Sequence, residues 1–215
     1  MRYNYIIFDL DGTLLNTLED LRDSTNFALG QLGFPQRSTD EVRRFVGNGV
    51  ARLIHLAVPE GTNKAAEEQC LAVFKDHYKN NMTNITAPYP GIIELLGELQ
   101  RLGIRSAVVS NKFEPAVIGL CRNYFGPLID LAVGQVENRR KKPAPDGVLY
   151  AMEQLGAKPE NTVYAGDSEV DALTARNAKL PCIGVSWGFR PRVVLEDAGV
   201  KYIADCAEDI LHIVK

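Results

Sequence analysis

Apolar residues along this chain change their spacing twice, and the changes divide it into three stretches. Tyr5, Ile6, Ile7 and Phe8 form one short run of β-branched and aromatic residues, the pattern of a strand buried on both faces of a parallel sheet. From Asn16 to about residue 84 the spacing is helical. Leu18, Leu21, Ala28, Leu29 and Leu32 share a face that Gly33 ends, and Asn16 with Glu19 resembles a capping arrangement. Ser38 with Glu41 repeats that signal for a short second helix. Val50, Leu53, Ile54 and Ala57 mark a third helix after Gly49. Ala66, Cys70, Val73, Phe74 and Tyr78 mark a long fourth over residues 63–81. No strand pattern interrupts this stretch.

Residues 84–91, with Pro88 and Pro90, read as a return linker. Beyond Gly91 the pattern alternates. Helices are predicted over 92–102, 114–124, 146–155, 170–178, 192–198 and 207–214. Strands are predicted over 104–109, 128–133, 162–165, 182–185 and at Tyr202 and Ile203. Alternation of this kind implies an α/β fold, a doubly wound parallel sheet with right-handed crossovers. A wholly helical block between two strand-type regions argues for an inserted domain. The expected division is a core of residues 1–15 plus 85–215 and a small all-helical domain of residues 16–84.

The first strand ends in Asp9 and Asp11, followed by Gly12. Ligands of open α/β sheets bind just beyond the carboxyl ends of the strands. Two carboxylates there repel by about 4 kcal/mol at ~4 Å and an effective dielectric near 20, so a positive group is expected between them. Oxygen ligands alone suggest a hard cation, Mg²⁺. Ser110 follows a predicted strand, as does Asp167, and both fall on the same sheet edge as Asp9.

Composition narrows the class. A 215-residue chain with 46% hydrophobic and 24% charged residues is ordinary for a globular protein. A net charge of −3 supplies no global basic field for nucleic acid. The run Arg139-Arg140-Lys141-Lys142 reads as a solvated loop sooner than as a nucleic-acid patch. No apolar run approaches a membrane span and no signal-peptide pattern is present, so the expected compartment is the cytoplasm. Cys70, Cys121, Cys182 and Cys206 are widely spaced and read as reduced, mostly buried thiols. His55, His77 and His212 show no metal-ligand spacing.

Asp9-Leu10-Asp11-Gly12-Thr13-Leu14 resembles the signature of the haloacid dehalogenase superfamily, in its phosphatase and phosphomutase branches. The second acid, Asp11, separates it from the branches with Thr there or with no second Asp. The remaining motifs follow in order: Ser110, Lys142 in Lys142-Pro143-Ala144-Pro145, and the pair Asp167 and Asp171 in Gly166-Asp167-Ser168-Glu169-Val170-Asp171. Ser110-Asn111-Lys112 and Gly184-Val185-Ser186-Trp187-Gly188-Phe189 are similar to phosphoglycolate phosphatases and their close relatives. Asn16, where those enzymes often carry Asp, departs from their pattern.

The resemblance implies a Rossmann-like core with a helical cap and a Mg²⁺-dependent phosphatase of small organic phosphate monoesters, 2-phosphoglycolate being the first candidate substrate. It implies Asp9 as nucleophile, Asp11 as acid–base group, and Ser110 and Lys142 as catalytic and phosphate-binding groups. Mg²⁺ would be held by Asp9, Asp167, Asp171 and the Asp11 carbonyl. Asn111 joins the phosphate site, and Gly47, Gly49 and Arg52 of the cap are implied to select the substrate. The expected partner is a small-molecule phosphate ester, with no nucleic acid and no membrane, and the chain is a monomer or a homodimer. A sugar phosphomutase, an inorganic pyrophosphatase and a non-catalytic binding module on the same scaffold remain open.

Overall fold

The computed structural model describes residues 2–215, which divide into two compact units. The first unit comprises residues up to Leu15 and Pro88–Lys215, and the second Asn16–Ala87.

The first unit is built on a six-stranded sheet. Its strands are β1 (Tyr5–Phe8), β4 (Arg105–Phe113), β5 (Leu131–Gln135), β6 (Thr162–Gly166), β7 (Cys182–Val185) and β8 (Tyr202–Ala204), in the order β5-β4-β1-β6-β7-β8. Every pairing is parallel, and β1 pairs with β4 on one side and β6 on the other. Ile6, Ile7 and Phe8 are fully buried, as a central strand covered on both faces requires. The helices are α5 (Ile92–Arg101), α6 (Glu114–Tyr124), α7 (Asp146–Leu155), α8 (Glu169–Asn177), α9 (Arg192–Asp197) and α10 (Ala207–Val214). α5 shows why they cover the sheet: Ile92, Leu95, Leu96 and Leu99 are its buried face, at helical spacing. The chain reverses its direction of travel across the sheet beside β1, so the crevice at the carboxyl end of that strand is the expected ligand position.

The second unit is all helical: α1 (Leu18–Gln31), α2 (Thr39–Phe45), α3 (Val50–Ala57) and α4 (Lys64–Asn81). The two-residue strands β2 (Leu15–Asn16) and β3 (Ala87–Pro88) mark the points where the chain passes between units. α1 and α4 pack together, burying Leu21, Ala28 and Leu29 on the first and Cys70, Phe74 and Tyr78 on the second. Ser38 caps α2 in a capping box with Glu41, and Asn63 caps α4 through Ala66 N–H at 2.9 Å.

Four details differ from the pattern reading. Thr17, which makes no side-chain cap, is the residue before α1, while Asn16 lies in β2 and its Oδ1 accepts from Leu18 N–H at 3.4 Å. β4 runs on to Phe113, so Ser110 lies within the strand. β5 begins at Leu131, since Gly126–Leu128 forms a 3₁₀ turn first. The return to the core falls at 87/88, where 84/85 was expected. Asp20 of α1 explains the shift: its carboxylate accepts from Ile85 N–H (3.0 Å) and Thr86 N–H (2.9 Å), tying those residues to the helical unit.

Candidate active site

The site is assembled at the carboxyl edge of the sheet. Asp9 leaves β1 with its N–H donating to Ala165 O of β6 at 2.8 Å. The loop after it closes tightly: Thr13, Leu14 and Leu15 N–H all donate to Leu10 O, and Gly12 N–H donates to Leu15 O. Those four amides are therefore engaged inside the loop and are not available to cradle an anion.

Lys142 is the hub of the buried charges. Its Nζ lies 2.8 Å from Asp9 Oδ1 and 2.8 Å from Asp171 Oδ1. It also donates to Tyr164 OH at 3.1 Å, and that hydroxyl in turn donates to Asp171 Oδ1 at 2.9 Å. The other oxygen of Asp171 accepts from Ser168 Oγ (2.6 Å) and Ser168 N–H (3.2 Å), the capping box of α8. Asp171 is thus oriented by Lys142, Tyr164 and its own helix. Asn111 holds the main chain of Lys142 from both sides: Lys142 N–H donates to Asn111 Oδ1 (2.7 Å), and Asn111 Nδ2 donates to Lys142 O (3.1 Å). The Asn111 side-chain amide is thus directed to Lys142 and fixes the lysine. Ser110 Oγ accepts from Lys112 N–H at 3.2 Å, and Ser110 is buried.

Asp167 follows β6, and its Oδ2 accepts from Phe189 N–H at 2.7 Å. The loop after β7 is pressed against it. A Cβ on Gly188 would collide with the Asp167 side chain and with Gly12 O, so only glycine lets this loop approach so closely. Trp187 Nε1 donates to Thr13 O at 3.0 Å, which joins the same loop to the one carrying Asp9 and Asp11.

Asp9, Asp167 and Asp171 each offer a carboxylate oxygen, and these atoms lie within 4.8 Å of one another. Burial pushes Asp9 up to about 7; Lys142 opposes the rise, and Asp171 and Asp11 add to it. Burial, then Asp171 and Asp9, hold Asp167 well above the carboxylate range. Burial opposes the charge on Lys142, but Asp171 and Asp9 outweigh it and raise that group. Three buried acids, only two of them paired with the Lys142 ammonium, supply hard oxygen donors, and a divalent cation such as Mg²⁺ fits that donor set.

The remaining sequence candidates are placed as follows. Asp11 lies on the same loop as Asp9, with Lys112 Nζ 3.1 Å from its Oδ1. Gly47, Gly49 and Arg52 belong to the helical unit, with Gly49 at the amino end of α3. The basic run is dispersed: Arg139 pairs with Glu114 (3.1 Å), Arg140 pairs with Asp146 (2.9 Å), and Lys142 turns inward. Pattern reading missed Tyr164, because a tyrosine inside a short apolar run looks like core. It also missed Lys112 as a site residue, although the Ser110-Asn111-Lys112 motif named it.

Residues 6–185 match the haloacid dehalogenase-like hydrolase family. A phosphoglycolate phosphatase of Pseudomonas putida is 31% identical over 89% of this chain and 76% of its own length. One from Mesorhizobium japonicum is 32% identical over 89% and 86%. The crystal structure of a Lactobacillus delbrueckii subsp. bulgaricus protein superposes with a TM-score of 0.94 at 33% identity, covering 100% of this chain and 99% of that one.

Proposed function

Since the chain belongs to the haloacid dehalogenase-like hydrolase family, we propose that it is a Mg²⁺-dependent phosphatase of small organic monophosphates, acting through an aspartyl-phosphate on Asp9. The observation that carries this reading is the setting of Asp9 itself. It stands at the carboxyl end of the central strand with an ammonium 2.8 Å from one oxygen and the Asp167 and Asp171 carboxylates close by. An in-line phosphoryl transfer needs a fixed nucleophile and positive charge around the equatorial oxygens.

Asp9 would attack phosphorus while the bond to the leaving oxygen breaks. The electron pair of that bond stays on the leaving oxygen, and the proton of the Asp11 carboxyl joins it. A water would then attack phosphorus, passing its proton to Asp11, releasing inorganic phosphate and restoring Asp9. Lys142 holds Asp9 and would offset the phosphoryl charge, Ser110 Oγ would donate to a phosphoryl oxygen, and Asn111 keeps Lys142 in register. Asp9, Asp167 and the Asp11 carbonyl would hold Mg²⁺, with Asp171 orienting the group beside them. When bound, Mg²⁺ neutralises the carboxylates and the phosphoryl oxygens.

The phosphoglycolate phosphatases among the relatives make 2-phosphoglycolate the first substrate to try. Gly47, Gly49 and Arg52 are the candidates for selecting it in the helical unit. The test is phosphate release from a panel of small esters and pyrophosphate, with and without Mg²⁺, beside Asp9→Asn. Metal-dependent release that Asp9→Asn abolishes is expected, with 2-phosphoglycolate ranked first. Preference for pyrophosphate, or interconversion of sugar phosphates without phosphate release, would replace the phosphatase reading. Inactivity throughout would remove it.

A further inference from the structure

Two buried lysines meet the two acids that follow β1. Lys142 pairs with Asp9 and is used in the mechanism above. Lys112 pairs with Asp11: Nζ lies 3.1 Å from Oδ1, and the lysine side chain is only 2% exposed. Burying an ammonium costs several kcal/mol, and an apolar residue of similar size would serve stability as well or better. The placement of Lys112 is built into the strand. Its N–H donates to Ser110 Oγ at 3.2 Å, and the register of β4 against β5 shifts between Val109 and Phe113. Irregularities of this kind re-aim side chains next to functional sites.

Asp11 has to present a carboxyl oxygen to the departing oxygen in every turnover, and a misplacement of about 1 Å can slow a catalytic step by about 100-fold. We infer that Lys112 is the positioning residue of the acid–base group, holding Asp11 so that protonation of the leaving oxygen depends on it while attack by Asp9 does not. The inference rests on the acid–base role of Asp11 in the reading above. Lys112 gives up no proton at any point: the proton that reaches the leaving oxygen comes from Asp11, and the one that restores Asp11 comes from water.

The test is the leaving-group dependence of kcat/KM in Lys112→Met, with Mg²⁺ present. p-Nitrophenyl phosphate releases a stable anion and needs little protonation. Glycerol 1-phosphate and 2-phosphoglycolate release alkoxides and need it fully; only the second carries a carboxylate. Lys112→Met is expected to lower kcat/KM by about 100-fold on both alkyl esters and by less than about 5-fold on the aryl ester, the difference expected of a weakened general acid.

An equal loss on all three esters would overturn the inference, because a purely structural or general electrostatic role lowers every rate alike. A loss confined to 2-phosphoglycolate would also overturn it, assigning Lys112 to direct contact with a substrate carboxylate. Should Lys112→Met fail to fold, Lys112→Arg keeps the buried charge with a different reach. Its alkyl-to-aryl ratio is expected to fall in the same direction, and an unchanged ratio in a folded Lys112→Arg would overturn the inference. Absence of Mg²⁺-dependent turnover of every ester by the wild type would instead remove the phosphatase reading itself, a result distinct from either pattern among the variants.

Discussion

Asn111 fixes a lysine 31 residues further along the chain: its single amide group meets both the N–H and the C=O of Lys142 in a buried setting. Asn111→Ala leaves both backbone groups without that partner. The expected loss is about 1–3 kcal/mol of stability, read from urea unfolding, together with a fall in kcat as Lys142 loses its register. Full activity with an unchanged midpoint would show that Lys142 is held by other means. Cys121 gives a second residue-scale expectation. Burial, with the charge of Asp11 adding to it, pushes its thiol from 9.0 up to about 12. The folded chain therefore holds a proton that the unfolded chain releases above about pH 9, so this contribution to stability is complete below that pH and is lost as pH rises toward 12. Melting temperature should fall over that range in the wild type and fall less in Cys121→Ala. Equal slopes would contradict the assignment. At this scale Asp9, Ser110, Lys142 and Asp167 were legible from their places at or near strand ends and from the family motifs. Tyr164 and the pairing of Lys112 were not, because a buried hydroxyl or ammonium inside a strand shows its partner only once the sheet is assembled.

Element by element, apolar periodicity and, for α2, the Ser38–Glu41 capping signal locate the α-helices of the described residues, and α6 and α7 fall at the expected bounds. Errors gather where local hydrogen bonds decide an end. The pattern starts the helix at Asn16, but Asn16 is held in β2, from where its Oδ1 accepts from Leu18 N–H, and Thr17 precedes the helix without a side-chain cap. The pattern ends the strand before Ser110, but β4 continues through Lys112 to Phe113 and so carries three candidate site residues on one element. The return from the helical unit is set by Asp20, a buried carboxylate whose partners lie 65 and 66 residues away, beyond the reach of any local pattern. Asp20→Ala is expected to destabilise the helical unit by about 1–3 kcal/mol, since two backbone N–H groups lose a charged acceptor. Amide hydrogen exchange at Ile85 and Thr86 checks this directly. Faster exchange there supports the tie, and unchanged protection would refute it.

For the molecule as a whole, the parallel order β5-β4-β1-β6-β7-β8 does most of the work of assembling the candidate site. Parallel strands end on the same edge, so the carboxylates of Asp9 and Asp167 converge without any long side chain having to span the sheet. The loop after β7 then closes on Asp167 through Phe189 N–H, and Trp187 joins it to the loop of Asp9 and Asp11. The price of this convergence is a cluster of buried carboxylates, which Lys142 neutralises only in part and which a divalent cation suits. The alternation of strand and helix was enough to foresee the sheet. Its charge balance was not, because that depends on which buried atoms face one another.

The central claim is that Asp9 itself carries the phosphoryl group. The most direct measurement is rapid acid quenching of the enzyme during turnover of 2-phosphoglycolate with Mg²⁺, followed by mass spectrometry of its peptides. One phosphoryl group on the peptide that contains Asp9, absent from Asp9→Asn and absent without substrate, is the expected result. Steady phosphate release with no phosphoryl adduct trapped at any quench time, or an adduct on a different residue, would contradict it.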